Sequence, residues 1–474
     1  MNPIQHANET LSNKTRETLG KVEPRSLRAF TPSLAVLEKS AGVFHWTPEG
    51  RKLFDFSSGV LVANLGHNPR GWMERFFHYM GWDARNEGSN SSGSFFPGKP
   101  MTAYNAVTQI EIEASERLLE AMRRCPGGEK MQQVLWAASG SEAIQKALWA
   151  ALARDRNRDM ILATRFGFHG KKGLANAVTG SETDRDRDPR VRFISFPMAE
   201  CVDVSTRDKP FDPSPYQKEL DTLWNQFGRK ICALITEPYL GGGGSYHPPK
   251  EYHQLLQRFC QEKEIVFILD EVQSNFGRTN SLFAYETYGI EPDIVVLGKG
   301  LGNGVPVAAA VGGADFFSSL EYGEGSDTWS ANPICCAAVL ATLDDYADGQ
   351  VIARKSQVSQ VIEAGLLQLK KDLPFICHVR GEKGGMVWGV ETRDWAGITA
   401  ADWANKVVEI CYRGDNGNEG IHLLGPLAKK VIRISPPLII THEEAQEAMR
   451  LMHRLVKPLG KEEKARSQMA APVS

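Results

Sequence analysis

The chain has 474 residues, 42% apolar and 24% charged, an ordinary globular balance that excludes a disordered, collagenous or low-complexity protein. Lys and Arg total 55 and Asp and Glu 57, so the net charge is −2 and a nucleic acid is excluded as the main partner. At roughly 150 residues per domain the length predicts two larger domains or about three smaller ones.

No apolar run approaches the ~20 residues of a membrane span. The first 20 residues lack the apolar stretch of a secretory signal. The eight cysteines form no C-x-x-C pair and read as reduced thiols, so the expected location is the cytoplasm.

In chain order, residues 1–30 are polar and read as an N-terminal arm. Residues 43–56 predict a hairpin, with two short apolar runs around Pro48-Glu49-Gly50. Apolar residues at helical spacing, including Ile110, Ala114, Leu118 and Leu119, predict a helix over 104–123. Short apolar runs then alternate with helical patterns. Strands are predicted at Val134 to Ala138, Met160 to Ala163, Val191 to Phe196, Cys232 to Thr236, Ile265 to Leu269 and Ile294 to Leu297. These runs lack polar alternation, so both faces are covered, as in a mostly parallel α/β sheet. Beyond 345, a helix over 351–371, a strand around Gly385 to Glu391 and a helix over 400–412 read as smaller α+β structure. The expected division is a large domain over 76–344, a small one from 31–75 and 345–460, and a loose tail over 461–474.

Open α/β sheets bind ligands beyond the carboxyl ends of their strands, so the residues that follow each run carry the argument. After VLWAA come Ser139-Gly140-Ser141 and a helix start, a place where free N–H groups bind an anion. A capping serine without a ligand is the alternative. Asp270 closes a buried strand, where a carboxylate needs a partner; a capping or ion-paired role is the alternative. Lys299 follows DIVVLG within GKGLGNG; it is either a solvated strand-end lysine or an amine able to form a Schiff base. The Walker pattern, the G-x-G-x-x-G fingerprint and H-E-x-x-H are absent, so neither those nucleotide signatures nor a metal motif is present. A phosphate cradle, a carboxylate and an amine at three strand ends together match the needs of pyridoxal 5′-phosphate.

The stretch from Ile265 to Gly313, with Asp270, Gln273, Gly277-Arg278-Thr279, Pro292-Asp293 and Lys299, resembles the class III pyridoxal-phosphate aminotransferases of fold type I. DFSSGVLVANLGHNP, RFGFHGKKG, ITEPYLGGGGSYHPP and SDTWSANPICCAA match further blocks of that family, and the similarity covers about residues 25–460. The resemblance implies a large domain with a mostly parallel sheet beside a smaller α+β domain. It makes Lys299 the Schiff-base lysine and proton shuttle, and Asp270 the partner of the pyridine nitrogen. Val272 and Phe168 would take the two ring faces, with His169 beside them, Gln273 the ring hydroxyl, and Gly140 and Ser141 the phosphate. Glu237 resembles a supporting carboxylate. Thr328 would reach the phosphate of a neighbouring subunit, which implies at least a homodimer.

Substrate residues also follow from the resemblance. Arg433 matches the arginine that takes an α-carboxylate. Lys171 stands where 4-aminobutyrate enzymes carry an arginine for the distal carboxylate; a solvated surface lysine is the alternative. Val60 replaces the glutamine of the decarboxylating dialkylglycine member. Gly242 stands where relatives acting on ornithine or 4-aminobutyrate place a glutamate that gates the late arginine. The expected reaction is a ping-pong transfer from an ω-amino acid or primary amine to a 2-oxo acid, pyruvate or 2-oxoglutarate. An aminomutase or decarboxylase with the same cofactor, or a non-catalytic binding protein of this fold, is the alternative.

Overall fold

The structure is a computed structural model that describes residues 4–82, 98–185, 187–415 and 419–469, with side chains to residue 460. Two compact units divide it: Met1–Asn68, Val202–Val204 and Arg354–Ser474 form one, and Pro69–Cys201 with Ser205–Ala353 the other.

The first unit opens with α1 (Thr10–Val22), β1 (Lys39–Ala41), β2 (Phe44–Trp46), β3 (Lys52–Asp55) and the short α2 (Ser58–Leu61). The second holds α3 (Arg70–Met80), α4 (Gln109–Arg123), β4 (Gln133–Ala137), α5 (Gly140–Ala153), β5 (Met160–Thr164), α6 (Gly173–Ala177) and β6 (Val191–Ile194). It continues with α7 (Ser214–Phe227), β7 (Ile231–Thr236), α8 (Lys250–Lys263), β8 (Val266–Asp270), α9 (Ala284–Tyr288), β9 (Ile294–Leu297), β10 (Ala308–Gly312), α10 (Ala314–Phe317) and α11 (Pro333–Tyr346). The chain then returns to the first unit through α12 (Gln350–Asp372), β11 (Ile376–Gly381), β12 (Trp388–Thr392), α13 (Ala400–Arg413), β13 (Glu419–His422), β14 (Val431–Ile434) and α14 (His442–Met469).

The larger unit is built on a seven-stranded sheet in the order β4-β10-β9-β8-β7-β5-β6. All its strands run parallel except β10, which pairs antiparallel with both β4 and β9. Strands β5, β7, β8, β9 and β10 are buried along their whole length, because helices cover both faces. One face packs against α5 and α6 through Ala143, Ile144, Ala147, Leu148, Leu174 and Ala175.

The smaller unit has two sheets, β1-β2-β3-β13 and β11-β12-β14. The hairpin expected over 43–56 is β2 and β3, paired antiparallel. Parallel pairing of β13 with β3 brings residues 419–422 onto 52–55 and ties the two ends of the chain into one unit.

Four boundaries differ from the sequence expectation. The division falls at 68/69 and 353/354, not at 75/76 and 344/345. The apolar stripe of α3 (Trp72, Phe76, Met80) is buried, and α3 packs against α11, with Trp72 donating to Thr342 Oγ1 at 3.0 Å. Of the expected arm, residues 4–30 are described and they are tied to the unit: Arg16 of α1 is buried and bonds Glu9 at 2.7 Å, the Tyr412 hydroxyl at 2.9 Å and the Leu34 carbonyl at 2.9 Å. Arg51 pairs with Glu9 as well. Most of α1 is exposed, and its buried Arg16 is tolerated because its charge is paired. The expected loose tail begins inside α14, whose backbone is helical to Met469; residues 470–474 lie outside the described residues.

Asp55, at the end of β3, organises the turn that follows. Its Oδ1 accepts from the Ser57 N–H at 2.7 Å, the Ser57 hydroxyl at 2.6 Å and the Ser58 N–H at 3.1 Å, while Oδ2 lies 2.7 Å from His67 Nε2. The turn needs this support: Ser58, Gly59, Val60 and Leu61 have φ of 48°, 58°, 70° and 60°, a left-handed run that L-residues resist.

Candidate active site

The carboxyl ends of the parallel strands converge on one recess of about 230 Å³ in the larger unit. Ser139, Gly140 and Ser141 come from beyond β4, Phe168, His169 and Gly170 from beyond β5, and Glu237 from beyond β7. Asp270, Val272 and Gln273 follow from β8, and Lys299 from beyond β9. A wider groove of about 520 Å³, lined by α7 and α8 residues such as Gln217 and Arg258, brings no comparable chemistry together.

Asp270 is buried and fixed at both oxygens. Oδ2 lies 2.7 Å from His169 Nδ1, and Oδ1 accepts the Val272 N–H at 3.0 Å. A carboxylate only accepts, so His169 carries its proton on Nδ1. His169 is 3% exposed, and its Nε2 has no partner among the described residues.

Glu237 is buried beside this pair. Burial pushes its carboxyl up to about 7; His169 opposes the rise and Asp270 adds to it. Its oxygens accept the Phe168 N–H at 2.8 Å and the Gly241 N–H at 3.2 Å, so the carboxyl holds two loops of the recess in place.

The recess has two apolar walls. Val272 fits only because its neighbours lack side chains: a Cβ at Gly140 would lie 3.0 Å from Val272 Cγ1, and one at Gly298 3.3 Å from it. Phe168 also lines the recess, and a Cβ at Gly242 would lie 2.9 Å from its Cβ. Gln273 enters over Gly241, where a Cβ would fall 2.1 Å from Gln273 Oε1. That oxygen is buried and has no donor among the described residues.

At the head of the recess, Ser139 Oγ caps α5 by accepting the Glu142 N–H at 3.4 Å. The Gly140 and Ser141 N–H groups precede the first turn's bonds, and the helix dipole favours an anion there. Lys299 is half-buried and has φ of 48°, a conformation that costs a non-glycine residue about 1–3 kcal/mol and marks a constrained position.

The family model for Aminotransferase class-III matches residues 99–456. The chain belongs to that family. This aminotransferase is 27% identical to the acetylornithine aminotransferase of Oceanobacillus iheyensis over 453 residues, covering 93% of this chain and 98% of that one. With the acetylornithine aminotransferase of Clostridium acetobutylicum it shares 29% over 422 residues, covering 89% and 96%. Its fold matches the ornithine aminotransferase of Toxoplasma gondii with a TM-score of 0.78 at 21% identity, covering 97% of each chain. It also matches a PLP-bound amine transaminase from an uncultivated Pseudomonas species, with a TM-score of 0.74 at 22% identity over 93% and 97%.

Four of the residues that the sequence suggested for this aminotransferase's site stand outside the recess. Thr328 is on an exposed loop, and Lys171 is exposed beyond Gly170. Val60 and Arg433 belong to the smaller unit: Val60 on the left-handed turn and 41% exposed, Arg433 buried on β14 opposite Gly389 of β12. Sequence reasoning missed the contact between His169 and Asp270, which are 101 residues apart, and the service of Gly241 and Gly298 as clearances for Gln273 and Val272. The glycine clusters 241–244 and 298–304 were the available signal.

Proposed function

We propose that this aminotransferase uses pyridoxal 5′-phosphate to move an amino group from an ω-amino acid or primary amine to a 2-oxo acid, pyruvate or 2-oxoglutarate, in two separate half-reactions. The observation that carries the reading is the convergence of the His169-anchored Asp270 carboxylate and Lys299 in a recess headed by the α5 N-terminus. A flat phosphate ester with a basic ring nitrogen and a ring hydroxyl fits these residues. Val272 and Phe168 would give it apolar contact, Asp270 would take the ring nitrogen, and Gln273 Oε1 is an acceptor that the ring hydroxyl would supply with a donor. The relatives' names, for acetylornithine, ornithine and amines, support a donor that offers an amine.

When bound, the cofactor supplies an electron sink for the carbon that bears the transferred amine. The chain's residues do the rest. Asp270, fixed by His169 and the Val272 N–H, would offer a negative charge to hold a proton on the ring nitrogen. Lys299 Nζ, the one lysine among the described residues lining the recess, would hold the cofactor as its amine anchor and would serve as the group that carries a proton to and from the substrate. Gly140 and Ser141 hold the phosphate through their N–H groups. Val272 and Phe168 exclude water from the two faces, and Glu237 keeps Phe168 and Gly241 in register.

Substrate recognition is assigned to Arg433 for the carboxylate of the 2-oxo acid, Val60 for the apolar body of the donor and Lys171 for a distal carboxylate where one is present. Thr328 of a second copy reaches the phosphate, so the active unit is at least a dimer. The test is a donor panel on the holoenzyme, with acetylornithine, ω-amino acids and primary amines against pyruvate and 2-oxoglutarate. A donor should bleach the cofactor's absorbance band near the visible edge, and a 2-oxo acid should restore it. Release of carbon dioxide, or rearrangement of the donor without a 2-oxo acid, would replace this reading with a decarboxylase or an aminomutase.

A further inference from the structure

We propose that Lys146 is a positioning residue that clamps the 327–330 loop, so that Thr328 is presented to the cofactor phosphate of a second copy of this chain. The proposal rests on the function assigned above and adds to it a residue for which the α5 phosphate cradle itself has no need.

Lys146 is on α5, among the buried apolar residues Ala143, Ile144, Ala147 and Leu148. It is 4% exposed. A lysine on such a helix face is costly unless its ammonium is fully bonded. All three of its donors are used: Nζ bonds Asp327 Oδ2 at 2.7 Å, the Trp136 carbonyl at 2.6 Å and Ser330 Oγ at 3.0 Å. The ammonium thus ties one loop to the helix and to the end of β4.

The loop is built to be held at that point. Asp327 Oδ1 accepts the Trp329 N–H at 2.9 Å and the Ser330 N–H at 2.8 Å, and Oδ2 takes the Ser330 hydroxyl. Burial works against ionisation of Asp327, but the bonds from Lys146 and Ser330 outweigh it and hold the carboxyl down to about 2. Between the two clamped residues stand Thr328 and Trp329, both exposed, with Trp329 at 62%. Nearby Tyr322 is fully exposed. A rigid stem that carries a hydroxyl and a bare indole, outside its own chain's recess, suits a surface another copy covers.

Hybrid dimers separate an effect on the neighbour from an effect on the same subunit. In the first, a Lys146→Met subunit with Lys299 intact pairs with a Lys299→Ala subunit. The one site able to trap cofactor with borohydride then receives the clamped loop of its neighbour. In the second, a subunit with both substitutions pairs with a wild-type subunit, and the trapping site receives the unclamped loop. The first hybrid should bind cofactor within about twofold of a wild-type/Lys299→Ala control. The second should bind roughly tenfold more weakly, the loss expected for one hydrogen bond to a charged phosphate. Weakening in both hybrids, in the first alone, or in neither overturns the proposal, as does a fully active monomer. Asp327→Asn in the same arrangement should reproduce the pattern and serves if Lys146→Met does not fold. Trapping on a lysine other than Lys299 in the wild-type dimer would instead refute the underlying assignment of function.

Discussion

Glu237→Gln is expected to change the pH dependence of stability of the cofactor-free protein by an amount the structure sets. Burial raises this carboxyl from the usual 4.5 to about 7. Its folded value exceeds its unfolded value, so the folded state binds the extra proton between those limits. Stability therefore falls as pH rises from 4.5 to about 7, and the loss is complete above that. At about 1.4 kcal/mol per pH unit the gap amounts to about 3 kcal/mol. Glutamine cannot ionise, so the variant escapes the loss. The assay is thermal unfolding of variant and wild type across pH 4.5–8, read as the difference between them. That difference cancels groups common to both, including Glu271, whose carboxyl burial also raises, to about 8. The variant should gain on wild type by roughly 3–5 °C over the range. A difference that stays flat with pH would refute the argument, because a carboxyl exposed enough to titrate normally gives no such gain.

Lys299→Ala should abolish borohydride trapping of the cofactor and lower turnover by several orders of magnitude; retained trapping would assign the role to another lysine. Gly242→Ala places a methyl group 2.9 Å from Phe168 Cβ and should weaken cofactor binding roughly tenfold by displacing that wall, as measured by equilibrium dialysis. Arg16→Met leaves Glu9 and Tyr412 short of a buried donor; it should cost about 3 kcal/mol by denaturant unfolding, and adding Glu9→Gln should recover part of that. Arg433→Ala should impair the half-reaction with a 2-oxo acid far more than the one with an uncarboxylated amine, as separated by stopped-flow absorbance; equal losses would make Arg433 structural.

What the sequence disclosed follows from how each feature is stabilised. Strands β5, β7, β8 and β9 were legible because a parallel strand covered on both faces must be a continuous apolar run. Strand β10 is buried just as completely, yet its AAAVG has small side chains and no strand signature, so its place in the sheet was not read. Helix α1 was hidden for the opposite reason: it is polar and mostly exposed, and what docks it is the pairing of its buried Arg16 with residues as distant as Tyr412. At the site, Asp270 and Lys299 announced themselves by standing at strand ends. The His169 bond to Asp270 and the Lys146 bond to Asp327 are pairings across 101 and 181 residues, and no local pattern encodes them.

The Asp55 bracket has a consequence for how the 57–62 turn moves. Both serine amides that follow the strand donate to one carboxylate, and the Ser58 hydroxyl bonds the Ser435 carbonyl at 2.7 Å. A surface turn so tied should exchange its amide hydrogens with deuterium as slowly as the strand before it, not at the rate of a free loop. Val60 therefore projects from a stiff pedestal. Exchanging its side chain would alter the surface presented there without altering the path of the backbone, which makes the position suited to redesign by size alone.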